Sequence, residues 1–563
     1  MGVEAPPSNP SAQPGITRTS ARDALLSNED LLDIIFEFVQ EAYVDGKAFP
    51  QTFSCNQQLL HLALTHKGFR DSALKVLWRT IPGLLPLFKL IPEFERIDGV
   101  YMFTNTLDLD KLSFYYAKHV KSISFAGQGD IISPLAYQVW PTVSGRTDIP
   151  LPTLRKLRID CSASTCDYAG ALFVASTVQP RLLSIEVVGM HPTSSTFLRQ
   201  LNMTLCLRHR QVLQEVTLEG DLSAQLLQTI LVHLCSTKVS RLKIDIRGEA
   251  GTALFKKDIF SLLCHLPNLT HLSLKAPDAP LIQETGPRPQ LEFPLLRTLS
   301  FNCTPPLAAC ALHWMISAPS LLSVELETYQ GTFLPLPETK DCLNRFVQRA
   351  IAHPTVPSIR ITQPGPTPLH LPFPADLGIS KSPTNLQHLF LGVHGISNTS
   401  AFIATLARIC PRLVSLVLPA TSLDPYYKKP DLTSLAVLAK GCPDLLDIRI
   451  SLRLHRITPK EYSPQHGFPG ERLLKSGAEA AGESISSGHP LKSLGISDAG
   501  GDQQFGVTDC ISMAQYIHRL FPKLDRLEGY RDAAGGGSGR KETFEALQEL
   551  ISVMGRLILS QGV

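Results

Sequence analysis

The chain has 563 residues, with 53 basic and 50 acidic side chains and a formal net charge of +3. So small a net charge does not predict a nucleic acid or an anionic membrane as an electrostatic partner. No apolar run approaches the ~20 residues that a transmembrane helix needs. The N-terminus, with Pro6, Pro7, Pro10 and Pro14, lacks the charged-then-apolar pattern of a signal peptide. We therefore expect a cytoplasmic or nuclear protein.

The 12 cysteines are scattered along the chain, and no two of them form a Cys-x-x-Cys pair. Buried, reduced thiols explain this distribution better than a zinc site does. We therefore expect neither a metal nor a cofactor.

A proline-rich leader, residues 1–22, opens the chain, and its composition predicts disorder. Three short helical patterns follow, and they predict a small helical domain over residues 23–92. Ser27, with Asp30 three residues later, has the form of a capping box that would start the first helix. The apolar positions of the three patterns are Leu31, Ile34, Ile35 and Phe38, then Leu59, Leu60, Leu62, Ala63 and Leu64, then Phe69, Ala73, Leu74, Leu77 and Trp78.

The segment from Leu26 to Leu31, followed by Ile34-Ile35 and later by Leu77-Trp78-Arg79, resembles the F-box. In that family the motif docks on the Skp adaptor of SCF-type ubiquitin ligases. The positions that the resemblance implies for adaptor binding are Leu26, Glu29, Leu31, Ile34, Ile35 and Trp78. The alternative is that these helices only cap the region that follows them, because a repeat array needs a polar-faced end.

From residue 93 to residue 530 the chain repeats one phrase: an apolar residue, two variable residues, a second apolar residue, one variable residue, and a third apolar residue. Leu269, Leu272 and Leu274 form one copy. The copies open at Val120, Leu154, Leu182, Leu213, Val239, Leu269, Leu296, Leu321, Val356, Leu386, Leu413, Leu445, Leu491 and Leu524. The last two apolar positions point to one face of an extended chain, so stacked copies would bury a continuous spine.

Segments with helical spacing lie between the copies, and the whole pattern predicts an α/β fold. The region resembles the leucine-rich repeat family, which implies a solenoid of about 13–14 coils with its strands on the concave side. Leu157, Ile185, Leu272, Leu299, Leu389 and Leu416 are the expected spine. Together with the helices, the chain resembles the F-box-like families of fungi.

The strand residues between the spine positions should face the concave surface. They are Lys156, Arg158 and Asp160, then Glu215, Thr217 and Glu219, then Arg241, Lys243 and Asp245, and later Phe390, Gly392, Val417 and Pro419. Exposed apolar side chains next to one another mark contact surfaces, so we predict that Phe390 and Val417 bind a protein target. Two irregular insertions, residues 363–385 and 458–490, lie in sequence on either side of them and would form walls.

Residues 531–563 combine a glycine-rich linker with a predicted capping helix that contains Leu547, Leu550 and Ile551. Gly535 to Lys541 lacks the glycine-lysine-hydroxyl ending of a phosphate loop. We find no nucleophile elbow and no metal-ligand spacing, so the sequence does not favour an enzyme.

Two functions remain. The first is a substrate receptor of an SCF-type ubiquitin ligase, which would bind the Skp adaptor through its helices and an unidentified protein target through its repeats. The second is a leucine-rich scaffold whose N-terminal helices are only a cap. Neither has nucleic acid or a membrane as a partner.

Overall fold

The computed structural model is a mixed α/β structure dominated by one parallel sheet of 15 strands. The described residues are 28–44, 55–105, 116–127, 131–144, 151–163, 166–178, 181–277, 279, 291–315, 318–328, 336–363, 370–372, 384–393, 395–397, 399–418, 430, 432–452, 488–498, 507–529 and 545–553. The chain packs as two compact units, residues 1–184 and 185–563.

The strands are β1 (Thr80–Ile81), β2 (Phe94–Ile97), β3 (Val100–Phe103), β4 (Ser122–Phe125), β5 (Ile131–Ile132), β6 (Lys156–Asp160), β7 (Ser184–Met190), β8 (Glu215–Asp221), β9 (Arg241–Arg247), β10 (His271–Ala276), β11 (Thr298–Cys303), β12 (Ser323–Thr328), β13 (Ser358–Thr362), β14 (His370–Pro372), β15 (His388–Gly392), β16 (Gly395–Ser397), β17 (Ser415–Val417), β18 (Asp447–Leu452), β19 (Ser493–Asp498) and β20 (Arg526–Gly529). The large sheet has the order β1-β4-β6-β7-β8-β9-β10-β11-β12-β13-β15-β17-β18-β19-β20. Each of the fourteen copies of the repeated phrase carries one of its strands, and β1 precedes them.

The helices are α1 (Glu29–Val44), α2 (Cys55–Thr65), α3 (Lys67–Leu77), α4 (Leu85–Phe88), α5 (Pro134–Ser144), α6 (Tyr168–Thr177), α7 (Ser195–Arg208), α8 (Ala224–Leu234), α9 (Gly248–Leu254), α10 (Lys257–Cys264), α11 (Pro305–Trp314), α12 (Leu336–Ala352), α13 (Thr399–Ile409), α14 (Thr433–Gly441), α15 (Val507–Leu520) and α16 (545–553). Within the described part of the chain, none of them is both long and apolar enough to cross a bilayer.

The first unit begins with α1, α2 and α3, which share a small core. Its buried members are Leu32, Phe36, Leu59, Ala63, Ala73 and Val76. The cap of α1 differs from the predicted capping box: the Leu31 N–H donates to Asn28 Oδ1 at 3.0 Å, so Asn28 is the N-cap. Ser27 lies outside the described residues. The remainder of the unit contains β1 paired with β4, β4 paired with β6, and a separate sheet of β2, β3 and β5.

The second unit contains a ladder of strands in exact one-to-one register from β8 to β13. One row of this ladder is buried throughout and continues to the last strand. Its members are Val216, Leu242, Leu272, Leu299, Val324, Ile359, Leu389, Leu416, Ile448, Leu494 and Leu527. Strand residues alternate between the two faces of a sheet, so the residues between these positions lie on the opposite face. We call that opposite face the polar face.

The last strand of the sheet is an edge, and α16 covers part of it. Gln548 in α16 accepts a hydrogen bond from the Leu527 N–H and donates one from Nε2 to the Asp525 carbonyl oxygen at 3.2 Å. Leu547 and Ile551 of the same helix are buried. The side chain of Gln548 therefore satisfies backbone groups that an open edge would leave for another chain.

Candidate functional site

Helix α1 has two apolar faces. One consists of Leu32 and Phe36 and packs into the helical core. The other consists of Leu31, Ile34, Ile35 and Phe38, which are between 38 and 69% exposed. We call these four residues the α1 stripe. A surface helix ordinarily needs one apolar face for its own core, so the α1 stripe is a surface that the helix does not need for folding.

Helix α2 repeats this arrangement. Leu59 and Ala63 are buried in the same core, whereas Leu60 and Leu64 are exposed at a spacing of four residues. The F-box resemblance did not include Phe38, and it covered Leu60 and Leu64 only through a loose match of residues 60–70 to the family's second helix. The sequence already indicated a second apolar face on α2, because the run from Leu59 to Leu64 is more apolar than a helix with one buried face requires.

The orientation of α1 is fixed by its contacts with α3. The ring of Phe36 meets the ring of Phe69 edge to face, with centroids 5.8 Å apart. Beside this contact, Lys75 pairs with Asp33, and Arg79 pairs with Glu37. Exposed ion pairs contribute only ~0–1 kcal/mol each, so the buried apolar face of α1 contributes most of the energy that holds the helix against α3.

The structure brings together only some of the residues that the F-box resemblance implied. Leu31, Ile34 and Ile35 share the α1 stripe. Glu29 lies two residues before Leu31, and therefore ~200° around the helix from it. Leu26 lies outside the described residues.

Trp78 ends α3, and its ring stacks on the ring of Tyr116 with centroids 4.9 Å apart and planes 13° apart. Tyr116 directly precedes the short 3₁₀ turn Ala117–His119 that leads into β4. Trp78 thus has a packing role within the first unit that its place in the F-box pattern did not predict.

A second candidate surface lies on the polar face of the second unit. Arg360, Phe390, Val417 and Arg449 occupy one register row on the adjacent strands β13, β15, β17 and β18. We call these residues the recognition row. The guanidinium carbon of Arg360 lies 4.6 Å from the centroid of the Phe390 ring, which is cation–π distance.

Phe390 is half-buried. A methyl group at Gly392 would lie 2.8 Å from Phe390 Cε1, so the ring occupies the space that glycine leaves open. The prediction that Val417 is exposed is wrong, since it is only 8% exposed. Its register neighbours on both sides, Phe390 and Arg449, are much longer, and side chains at neighbouring register positions shield one another. Pro419 and most of both insertions lie outside the described residues.

The charged strands nearer the start of the second unit differ from this row. Asp245, which the sequence places among the solvated strand charges, is buried, and Lys275, its register neighbour on β10, pairs with it at 2.7 Å. Arg241 pairs with Glu215 at 2.8 Å. Arg241 and Asp245 therefore already have oppositely charged partners within the sheet.

No group of three or more His, Cys, Asp or Glu side chains in the described part of the chain is placed to hold a metal ion. Comparison with known proteins finds no family model that matches the chain and no curated protein of significant sequence similarity. The functional proposal therefore depends on the surfaces themselves.

Proposed function

We propose that the chain is the substrate-recognition subunit of an SCF-type E3 ubiquitin ligase. In this proposal, the helices of the first unit bind the Skp adaptor and the sheet of the second unit binds a protein target. The observation that carries the proposal is the α1 stripe, whose four apolar side chains project from a helix that has already buried another face. The motif resemblance and the exposed stripe involve the same residues, Leu31, Ile34 and Ile35.

A cap alone does not explain the stripe. The end of a repeat array requires one face that buries against the array and one polar face toward water. The outer face of α1 is instead apolar, and its exposed area amounts to about two whole apolar side chains. Covering such an area contributes roughly 3–6 kcal/mol before the costs of association, which is enough to make it the centre of an interface.

The ladder of the second unit supports a leucine-rich repeat solenoid. Its buried row contains one aliphatic residue from each strand, and all ten strand pairs of this row are parallel. Parallel neighbours require a crossover segment between strands, as repeated coils provide. The polar face then presents side chains from many strands to one extended partner. The subunit would act by holding its target close to the ligase and would perform no chemistry itself.

Binding of the full-length chain to purified Skp adaptor tests the proposal directly. We expect wild-type protein to bind at micromolar concentration or tighter by biolayer interferometry. Ile34→Asp with Phe38→Asp should weaken binding at least tenfold, because each carboxylate would have to be desolvated in an apolar interface.

The matched control is Met203→Asp with Leu207→Asp. These two residues form an exposed apolar pair at the same four-residue spacing on α7 of the second unit. This control should bind the adaptor like wild type. If wild-type protein shows no adaptor binding at about 50 µM, the ligase assignment fails and the scaffold with a helical cap replaces it.

A further inference from the structure

The recognition row has an ordered chemistry: a cation, an aromatic ring, an aliphatic side chain and a second cation. The four residues lie on consecutive strands of the sheet. Neighbouring strands are ~4.8 Å apart, so the Cα atoms of Arg360 and Arg449 are separated by three spacings, or ~14 Å. Two cationic side chains thus flank an apolar centre, and the strand spacing sets the separation of their Cα atoms.

Arg360 is exposed, and within the described part of the chain it makes no ion pair with a carboxylate. Its register neighbour on the other side is Glu325, yet its guanidinium lies over the Phe390 ring. A guanidinium carries five N–H donors in a planar fork, and a cation–π contact uses the face of the group rather than those donors. Arg360 is therefore placed against the aromatic ring with its fork available for an acceptor.

Arg449 is similarly available. Its side chain is 48% exposed, and its carboxylate contact is Asp447 of the same strand, at 3.9 Å. Asp447 also accepts a hydrogen bond from Ser415 Oγ at 3.3 Å. So long an exposed ion pair contributes little, and a better-placed carboxylate can replace it.

We propose that the recognition row binds an extended target segment of the pattern acidic–x–bulky apolar–x–acidic. This inference rests on the proposed function, for which it specifies the class of target. In an extended peptide, residues i, i+2 and i+4 share one face, and the first and last are ~14 Å apart. That length matches the Cα–Cα separation of Arg360 and Arg449, and the long arginine side chains can adjust the positions of their guanidinium groups to the two carboxylates.

The central side chain of such a segment contacts the half-buried Phe390 ring, and Val417 lies buried beside that ring. Each outer carboxylate pairs with one guanidinium, in the bidentate geometry that makes arginine–carboxylate pairs strong. The pattern is symmetric, so it is satisfied by a peptide that crosses the strands in either direction. Glu325 lies one strand beyond Arg360 and disfavours a third acidic residue on that side.

The test uses the full-length chain and fluorescein-labelled peptides that contain Glu-Gly-Phe-Gly-Glu, Lys-Gly-Phe-Gly-Lys or Glu-Gly-Ala-Gly-Glu between Gly-Ser flanks. Fluorescence anisotropy should show that wild-type protein binds the first peptide at least tenfold more tightly than either of the others. Phe390→Ala should remove the preference for phenylalanine over alanine.

The decisive variant is Arg360→Glu with Arg449→Glu, which should reverse the preference and favour the lysine peptide. A reversed preference cannot come from misfolding, so this outcome supports the recognition row as the peptide-binding site even if the variant binds all peptides more weakly. An unchanged preference for the glutamate peptide overturns the inference. Binding only of a peptide with phosphoserine in place of both glutamates overturns the assignment of carboxylates.

Adaptor binding of Arg360→Glu with Arg449→Glu, measured by biolayer interferometry, should equal that of wild type. If wild-type protein prefers the acidic peptide but does not bind the adaptor, the ligase assignment fails while the target chemistry stands. If it binds the adaptor but shows no peptide preference, only this inference fails.

Discussion

Phe36 and Phe38 lie two residues apart on α1 and have opposite roles. Phe36 is 3% exposed and belongs to the helical core, whereas Phe38 is 69% exposed and belongs to the α1 stripe. Their side chains project ~200° apart around the helix axis. We therefore expect Phe36→Ala to unfold the helical block formed by α1, α2 and α3, and Phe38→Ala to leave this block folded while weakening adaptor binding.

The two substitutions should lower the free energy of unfolding by amounts that differ by several kcal/mol. Replacing a buried phenylalanine by alanine costs roughly 3–5 kcal/mol, and this includes the loss of the edge-to-face contact with Phe69. The core of the block has six buried members, so a loss of that size removes most of its stability. Phe38→Ala should change stability by no more than about 0.5 kcal/mol, because it alters an exposed position.

Hydrogen exchange with mass spectrometry on the full-length chain separates the two effects. In Phe36→Ala, amides of α1 and α3 should lose protection, whereas amides of β10 to β12 should keep it. In Phe38→Ala, all of these amides should exchange as in wild type. The affinity for the adaptor should nevertheless fall tenfold or more, which corresponds to a loss of at least ~1.4 kcal/mol of binding free energy. Equal loss of α1 protection in both variants would refute the assignment of two faces.

Two further predictions concern packing and pH. Trp78→Ala should lower the unfolding temperature of the first unit through loss of the stack on Tyr116, and adaptor binding should fall only as far as α3 loses exchange protection. A tenfold loss of affinity with full protection would make Trp78 a direct contact instead. His489 is buried, its Nδ1 accepts from the Leu491 N–H at 3.3 Å, and burial lowers its pKa below 6.5. The folded state therefore binds this proton less tightly than the unfolded state, so stability is retained above pH 6.5 and lost as pH falls through the lowered pKa, by at most ~1.4 kcal/mol per pH unit. His489→Asn should reduce the difference in unfolding midpoint between pH 7.5 and pH 5, measured by urea denaturation; an unchanged difference would assign the pH dependence to other groups.

The positions of the strands could be predicted from the sequence. Each copy of the repeated phrase contains two apolar residues at strand spacing, and Leu272, Leu299, Leu389 and Leu416 are buried in one row. Such a pattern is local, since alternation along an extended chain follows from covalent geometry. The grouping of Leu31, Ile34 and Ile35 on one side of a helix is local in the same sense.

The tertiary structure decided which of these apolar groups are covered. Helical spacing defines two apolar faces on α1, and only the packing of α3 against Phe36 determines that the face with Phe38 stays exposed. Val417 is buried and Asp245 is paired because of the side chains that neighbouring strands place beside them. Those neighbours are tens of residues away in the sequence, and their identity depends on strand order and register. Burial is a property of the assembled sheet and helices, so a pattern within one segment cannot determine it.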